Sequence, residues 1–158
     1  MMAALRASAR YPYVLATDAD VIIDGEALVH AMRLIAEDRD RVAGVGGNIR
    51  PINGCDVAHG HVVRARMPQR LVEKYQLLEY VRSFIASRPA WSRLNCLPNL
   101  SGAFGIYRRD LVVEVGGYTP GHFGEDLDMT MRVHRYLRDT RTEYRLAYSP
   151  SAVVWTEV

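Results

Sequence analysis

The chain has 158 residues, of which 49% are apolar and 24% are charged, and its formal net charge is only +2. This composition is ordinary for one globular domain or part of one, and the charge balance gives no reason to expect that the chain binds nucleic acid. The two cysteines, Cys55 and Cys96, are too few for a disulfide framework or a zinc site, so we expect two free, buried thiols. No run of residues reaches the roughly 18 apolar positions that a membrane span needs, no signal peptide is visible, and the chain by itself is predicted to be cytoplasmic.

The N-terminal part of the sequence predicts a strand, a helix and a second strand. Residues 2–10 resemble the last turns of a helix, and Tyr13–Thr17 is predicted to be a short, buried strand of a parallel sheet. Apolar residues recur at helical spacing over Gly25–Glu37, which predicts a helix. Arg41–Ile49 is predicted to be a strand that is rich in glycine where another backbone can approach closely. This order is typical of an α/β fold.

Pro68–Ser87 is the longest predicted helix, and Arg88-Pro89 is expected to end it. One wide face of this helix is apolar and consists of Leu71, Val72, Tyr75, Leu78, Val81 and Ile85. Such a face packs against a protein core or lies on a membrane surface, and the core is the favoured interpretation. The remaining predicted elements are a loop over 97–102, a strand over 103–107, a helix over 109–114, a loop over 118–124, a helix over 125–138, and strands over 144–148 and 152–155.

Two aspartates follow the first predicted strand, in the motif Thr17-Asp18-Ala19-Asp20. Open α/β sheets bind ligands at the carboxyl ends of their strands, and carboxylate oxygens are the ligands that Mg²⁺ and Mn²⁺ prefer. The same two aspartates can also form a turn or cap the next helix, although Asp24 stands closer to that helix. The motif alone therefore does not distinguish a metal site from a turn.

A second acidic motif, residues 124–128, opens the last long helix. At about 100° per residue, Asp126 lies on the same side of this helix as the apolar Val133. Asp128 lies on the opposite, polar side, four residues before Arg132, and is expected to form an ion pair on a solvated face. Asp126 is expected to point inward, either as a helix cap or as part of a site in which it takes a proton from a hydroxyl.

The histidines give weaker signals. His59 and His61 could bind a metal ion together, but no further ligands stand near them at a useful spacing, so a loop is the favoured interpretation. His122 stands just before the second acidic motif and could reach a substrate phosphate.

Six short motifs follow one another along the chain: Thr17-Asp-Ala-Asp20, Val45-Gly-Gly-Asn48, Leu78-Glu-Tyr80, Leu100-Ser-Gly-Ala-Phe-Gly-Ile-Tyr107-Arg-Arg-Asp110, Val115-Gly-Gly-Tyr118 and Gly124-Glu-Asp-Leu-Asp128. In this order they closely resemble the processive-type family 2 glycosyltransferases, the group that holds poly-N-acetylglucosamine, hyaluronan, chitin and cellulose synthases. The resemblance covers essentially the whole chain. It implies a partial GT-A fold, which is a Rossmann-like mixed sheet flanked by helices that binds a nucleotide sugar.

The resemblance also implies roles for individual residues. Asp18 and Asp20 match the Asp-x-Asp motif, which holds Mg²⁺ or Mn²⁺ against the diphosphate of the nucleotide. Asp126 matches the general base, and Glu125 matches its acidic partner. These roles agree with the chemistry, because the acceptor hydroxyl needs a base and the departing diphosphate needs a cation.

Ser101 and Gly102 fall in the stretch that lines the acceptor site in this family. The implied reaction transfers a hexose or N-acetylhexosamine from a nucleotide diphosphate sugar, expected to be a UDP-sugar, to a saccharide hydroxyl. A single displacement is expected, with inversion at the anomeric carbon.

The sequence departs from the family pattern at both ends. Three parts of the family pattern are not found in this sequence: the N-terminal half-sheet with its nucleotide-binding aspartate, the Gln-x-x-Arg-Trp motif and the transmembrane helices. Relatives with such helices lie in the cell membrane, and their catalytic domain faces the cytoplasm. We therefore expect residues 1–158 to be the central part of one catalytic domain, with little or no activity in isolation and with a strand edge that favours self-association.

The sequence has two other interpretations. One is an inactive fragment of such an enzyme that acts only as a folded or self-associating subdomain. The other is a haloacid-dehalogenase-type phosphatase, which also begins with a strand and an Asp-x-Asp motif. That phosphatase needs a suitably placed lysine, and the single lysine of the chain, Lys74, lies inside a predicted helix.

Overall fold

The computed structural model describes residues 10–119 and 124–158. The helical turns predicted before residue 10, and His122 with the middle of its loop, lie outside the described residues. The elements in chain order are β1 (Tyr13–Ala16), β2 (Ile22–Ile23), α1 (Ala27–Glu37), β3 (Val42–Pro51), β4 (Asp56–Ala58), β5 (His61–Arg64), α2 (Leu71–Tyr80), a π-helical segment (Val81–Ser87), α3 (Arg88–Arg93), β6 (Gly105–Arg108), α4 (Arg109–Glu114), α5 (Glu125–Asp139) and β7 (Arg145–Thr156).

Five of the strands form one mixed sheet in the order β1-β6-β3-β7-β2. Strands β3 and β7 are parallel, β6 is antiparallel to β1 and β3, and β2 is antiparallel to β7. Because β1 and β2 lie at opposite edges of the sheet, residues 17–21 connect these two edges at the carboxyl ends of β3 and β7. The predicted mixed α/β sheet is therefore confirmed, and it places the Asp-x-Asp segment at the expected edge.

Three details of the sheet differ from the prediction. Strand β1 is only half-buried and pairs antiparallel with β6, because it is an edge strand among the described residues rather than an inner parallel strand. The two C-terminal strands are one strand, β7, with an irregular register in its middle. The loop with His59 and His61 is a hairpin, in which His59 and Gly60 adopt φ values of 52° and 76° between β4 and β5.

The core lies between the sheet and the buried faces of α1 and α5. Helix α1 buries Ala27, Ala31 and Ile35. Helix α5 buries Val133 and Leu137, each with at most 2% of its surface exposed, so the side of α5 that was predicted to face inward is confirmed. Gly47 in β3 has no room for a side chain, since a Cβ atom there would lie 2.6 Å from the ring of Phe104.

The longest helix differs from the prediction at its end and in its exposed face. It continues beyond Arg88-Pro89 through α3, because Pro89 lies in the first turn of α3, where the missing N–H of a proline is tolerated. Its predicted core-facing residues are all exposed, and this prediction was wrong: Leu71, Val72, Tyr75, Leu78, Val81 and Ile85. The helix packs through other residues, chiefly Phe84, whose ring is buried.

The cysteines and the membrane prediction can also be compared with the structure. Both thiols are free, but Cys96 is exposed and Cys55 is half-buried, because each follows a turn near the surface; the expectation of two buried thiols was wrong. In the part of the chain that the structure describes, no helix is both long enough and apolar enough to span a bilayer.

Candidate active site

The first acidic motif and the predicted acceptor loop meet at the carboxyl edge of the sheet. Asp18 follows β1 directly, and the Oγ1 atom of the preceding Thr17 donates a hydrogen bond to the carbonyl oxygen of Ala103 at 3.0 Å. This bond ties the end of β1 to the loop before β6. Gly102 in that loop faces Asp18, because a Cβ atom on Gly102 would lie 3.5 Å from Oδ2 of Asp18.

A cleft of about 460 Å³ opens at this edge. Its lining residues are Leu15, Ala16, Thr17, Asp18, Gly102, Tyr118 and Glu125. The cleft therefore brings together three of the residues singled out from the sequence. Glu125 lies exposed at its rim, whereas the Oγ atom of Ser101 accepts a hydrogen bond from the backbone N–H of Ala103 at 3.4 Å and so belongs to the turn beside the cleft.

Like charges accumulate around Asp18. Burial raises the pKa of Asp18, and the negative charges of Asp20 and Asp126 raise it further. Asp20 is also exposed, and its Oδ2 atom lies 3.5 Å from Oγ1 of Thr156 at the end of β7. A divalent cation bound here would relieve this repulsion between carboxylates.

Asp126 lies in the first turn of α5 and is half-buried. It is not the helix cap, because Gly124 occupies that position with a φ of 81°. Its Oδ1 atom accepts a hydrogen bond from the backbone N–H of Leu127 at 2.8 Å, and its Oδ2 atom accepts one from Nδ2 of Asn99 at 2.7 Å. Both oxygens of the carboxylate are thus held, and the carboxylate has a defined orientation.

Thr130 connects α5 to the neighbouring loop and to β6, and this role was not predicted from the sequence. Its side chain is fully buried, and its Oγ1 atom donates to the carbonyl oxygen of Asp126 at 2.8 Å. The same oxygen accepts from the backbone N–H of Leu100 at 3.1 Å and lies 2.9 Å from the hydroxyl of Tyr107. Because the threonine proton is already donated, Tyr107 must be the donor, so one hydroxyl joins α5, the acceptor loop and β6.

Tyr118 is a second residue that the sequence interpretation left without a role. Its hydroxyl oxygen is buried and has no hydrogen-bond partner within residues 10–119 and 124–158. Burial raises the pKa of Tyr118 to about 12. The adjacent hydroxyl of Tyr107 lowers this pKa, whereas the negative charges of Asp126, Glu125 and Asp18 raise it further. Tyr118 therefore remains a neutral hydroxyl at physiological pH, in a position to meet a polar group that enters the cleft.

Asp128 and Arg132 support the loop that carries Tyr118. The predicted ion pair is present, with an Nη2–Oδ2 distance of 2.8 Å, but both side chains are largely covered rather than solvated. Arg132 also donates to the carbonyl oxygens of Val115 and Gly117, the latter at 2.6 Å. The prediction of a freely solvated Asp128 was wrong, since helical spacing alone does not show that the loop of residues 115–119 packs on this side.

The carboxylates of Asp18 and Asp20 suit a cation that also binds substrate oxygens. Among the residues that the structure describes, no three His, Cys, Asp or Glu side chains form a metal-binding group. Asp18 and Asp20 offer hard carboxylate oxygens, which suit Mg²⁺ or Mn²⁺, but two side chains leave most of an octahedral shell open. Such a shell is completed by phosphate oxygens and water.

The chain was compared with known proteins. No protein-family model matches it. The poly-β-1,6-N-acetyl-D-glucosamine synthase of Staphylococcus aureus is 26% identical over 147 residues, which are 93% of this chain and 31% of that protein. The corresponding synthase of Staphylococcus epidermidis is 22% identical over the same proportions of both chains. The chain therefore spans about a third of the length of the curated relatives that it matches.

Among solved structures, the mannosyltransferase PcManGT from Pyrobaculum calidifontis, in complex with GDP-Man and Mn²⁺, matches the fold. The TM-score is 0.58 at 20% sequence identity, over 100% of this chain and 36% of that one. This structural likeness confirms the predicted fold of the GT-A type.

Proposed function

We propose that this chain is the central part of a glycosyltransferase catalytic domain that transfers a hexose or N-acetylhexosamine from a nucleotide diphosphate sugar to a saccharide hydroxyl, with inversion. The observation that carries the proposal is the meeting of Asp18, Gly102 and Glu125 in one cleft, with Asp126 held beside it. The similarity to the poly-β-1,6-N-acetyl-D-glucosamine synthases supports the same reaction class.

Asp126 is the proposed general base. Its carboxylate takes the proton of the acceptor hydroxyl while that oxygen attacks the anomeric carbon of the donor sugar. The bond between this carbon and the diphosphate oxygen breaks, and its electron pair leaves with the nucleoside diphosphate. Because the attack comes from the face opposite the leaving group, the configuration at the anomeric carbon is inverted. Glu125, at the rim of the same cleft, is proposed to assist at the acceptor side, next to Ser101 and Gly102.

Asp18 and Asp20 are the proposed ligands of Mg²⁺ or Mn²⁺. A bound cation neutralises the negative charge that develops on the departing diphosphate. The PcManGT complex holds Mn²⁺ together with GDP-Man, which supports a divalent cation and a nucleotide sugar for this fold. A UDP-sugar is the donor proposed here, because the curated relatives that match the chain are synthases of an N-acetylglucosamine polymer.

The experiment incubates the full-length protein with Mn²⁺, a saccharide acceptor and one of four donors: UDP-N-acetylglucosamine, UDP-glucose, UDP-glucuronate or GDP-mannose. Release of nucleoside diphosphate and formation of the glycoside are measured, and nucleotide binding is followed by calorimetry. We expect Asp126→Asn to abolish transfer and to leave Mn²⁺-dependent nucleotide binding nearly intact.

The matched control is Asp139→Asn at the far end of α5, where the side chain is 70% exposed. This variant should retain both nucleotide binding and transfer. Failure of every nucleotide to bind in the presence of Mn²⁺ would contradict the proposal.

A second candidate function is that of a folded, self-associating subdomain without activity. Within the described residues, β1 pairs only with β6, so its other edge is open to a further strand. The exposed apolar face of α2, where Val72 is 79% exposed, is a second surface through which copies of the chain could associate. A mass in solution that rises with concentration, together with absence of nucleotide binding, would favour this candidate over the enzyme.

A further inference from the structure

A buried positive charge lies beside the candidate active site. Arg88 begins α3 directly after the π-helical segment, and only 8% of its surface is exposed. Its guanidinium carbon lies 4.5 Å from the centre of the Phe84 ring. Among the described residues, no carboxylate forms an ion pair with it, and its Nε atom is buried without a hydrogen-bond partner. A buried guanidinium in this state is expected to be strongly destabilising unless hydrogen bonds compensate it.

Within the described residues, both compensating hydrogen bonds of Arg88 go to Asn99. Nη1 of Arg88 donates to the backbone carbonyl oxygen of Asn99 at 2.6 Å, and Nη2 donates to the side-chain Oδ1 atom of Asn99 at 3.0 Å. A guanidinium has donors only. The side-chain amide of Asn99 must therefore turn its oxygen toward Arg88.

This orientation decides what Asn99 presents to Asp126. With Oδ1 facing the guanidinium, the Nδ2 atom faces the carboxylate and donates to Oδ2 of Asp126 at 2.7 Å. If the amide were flipped, its oxygen would face the carboxylate instead, and two acceptors would oppose each other. The charge of Asp126 also acts back on Arg88: burial lowers the pKa of Arg88, and the phenolic oxygens of Tyr148 and Tyr107 and the carboxylate of Asp126 counteract this.

We propose that Arg88 and Asn99 form a positioning relay for Asp126, in which the guanidinium fixes the amide of Asn99 so that the amide orients the carboxylate toward the acceptor hydroxyl. This inference rests on the proposed role of Asp126 as the base. Neither Arg88 nor Asn99 touches the reacting atoms, so both are positioning residues. The relay gives the ionised carboxylate a neutral donor instead of a directly paired cation, which would compete with the acceptor proton for the same oxygen.

The first test measures the orientation of the amide without any need for activity. The side-chain N–H resonances of Asn99 are recorded by NMR in wild type and in Asp126→Asn, Arg88→Met and Arg88→Lys. We expect one Asn99 side-chain proton to be displaced downfield and to exchange slowly in wild type, and to lose this displacement in Asp126→Asn and Arg88→Met. Arg88→Lys should retain it, because lysine also has donors only.

Arg88→Lys and Arg88→Met are a matched pair, since the two side chains are similar in length and differ in the donor group. Arg135→Met on the exposed face of α5, 84% exposed, is the control for loss of an arginine. A downfield proton that persists in Arg88→Met, or that is missing in wild type, would overturn the relay. If Arg88→Met does not fold, the relay is tested by two of the other spectra: the downfield proton should be present in wild type and absent in Asp126→Asn.

The second test uses Asn99→Asp, which gives Arg88 a carboxylate partner and removes the donor from Asp126. A merely structural role of Asn99 predicts wild-type kinetics for this variant. The relay predicts a fall in kcat of about tenfold to a hundredfold with an unchanged KM for the donor. The acidic limb of the pH profile of kcat/KM should move to higher pH, because a carboxylate that faces a second carboxylate is harder to ionise.

Wild-type kinetics in Asn99→Asp would overturn the relay while leaving the proposed function intact. Absence of transfer in the wild-type protein would instead contradict the proposed function, and the NMR experiment would still decide the relay.

Discussion

Replacing Thr130 by valine should destabilise the protein strongly although the two side chains have nearly the same shape. The Thr130 hydroxyl uses its proton and both lone pairs, and its partners include two donors: the backbone N–H of Leu100 and the hydroxyl of Tyr107. Tyr107 is only 1% exposed and Leu100 is fully buried, so water cannot replace the lost partner. Each buried donor left without an acceptor costs about 1 to 3 kcal/mol, so the two together should lower the free energy of unfolding by about 2 to 6 kcal/mol.

Urea unfolding at neutral pH measures this change, with Thr130→Ser as the control. Serine keeps the hydroxyl and loses one methyl group, which should cost about 1 kcal/mol. In a scan of temperature, the valine variant should unfold about 5 to 15 °C earlier than wild type. The double variant with Tyr107→Phe should recover about 1 to 3 kcal/mol of the valine penalty, because one of the orphaned donors is then absent. A valine variant as stable as the serine variant would refute the account of Thr130 as the joint of α5, loop and β6.

Three further predictions concern the carboxylates at the cleft. Asp128→Asn should lower the free energy of unfolding by about 1 to 2 kcal/mol, since it weakens a largely covered pair with Arg132; a loss below about 0.3 kcal/mol in urea unfolding, the level of an exposed pair, would contradict this. Gly102→Ala should leave stability almost unchanged, because the new methyl group would lie 3.5 Å from Asp18, but it should weaken Mn²⁺-dependent UDP binding several-fold in calorimetry by covering that carboxylate; unchanged affinity would place the ligand elsewhere. Asp18→Asn should raise stability at pH 7 by a few tenths of a kcal/mol, as expected for a well-solvated charge. Burial and neighbouring carboxylates raise the folded-state pKa of Asp18, so its ionisation opposes folding as the pH rises through that pKa, and the difference from wild type should vanish below its ordinary value of 3.8; a variant less stable than wild type at pH 7 would show that the repulsion is absent.

The parts of the site that are local in sequence could be predicted. Asp18 follows a strand, and the carboxyl end of a strand is an edge of the sheet whatever the neighbouring strands are. The inward direction of Asp126 follows from the 3.6-residue period, which relates it to Val133 and Leu137 on the same helix. Both inferences need only the geometry of one element.

The exposed face of α2 could not be predicted, because periodicity shows that a face is apolar but not what covers it. The end of the same helix was also misplaced. A proline in the interior of a helix kinks or breaks it, but Pro89 lies in the first turn of α3, directly after the π-helical segment, where a proline is tolerated. Nothing in the residues of the π-helical segment signals this change in hydrogen bonding.

The relay and the Thr130 joint could not be predicted for a different reason. Arg88, Asn99 and Asp126 stand 11 and 27 residues apart, and Thr130 meets Tyr107 across 23 residues. No single helix or strand relates these positions, and none of the residue types is unusual where it stands. Their meeting depends on how α3, the loop before β6 and α5 pack, which is information about the assembled fold.

The position of β7 inside the sheet, between β3 and β2, has a consequence for the order of folding. Strand β7 comprises the last long segment of the described chain, yet it pairs with β3 about a hundred residues earlier and holds β2 at the far edge. Pairing across such a sequence distance is slow, because the entropy of closing the loop is lost before the contacts form. During synthesis, the edge of β3 that pairs with β7 therefore has no partner strand until β7 has left the ribosome. Asp20 gains its contact with Thr156 only at that last step. We expect the two aspartates of the first motif to acquire their final spacing late in folding, and a chain truncated before β7 to aggregate rather than to form half a site.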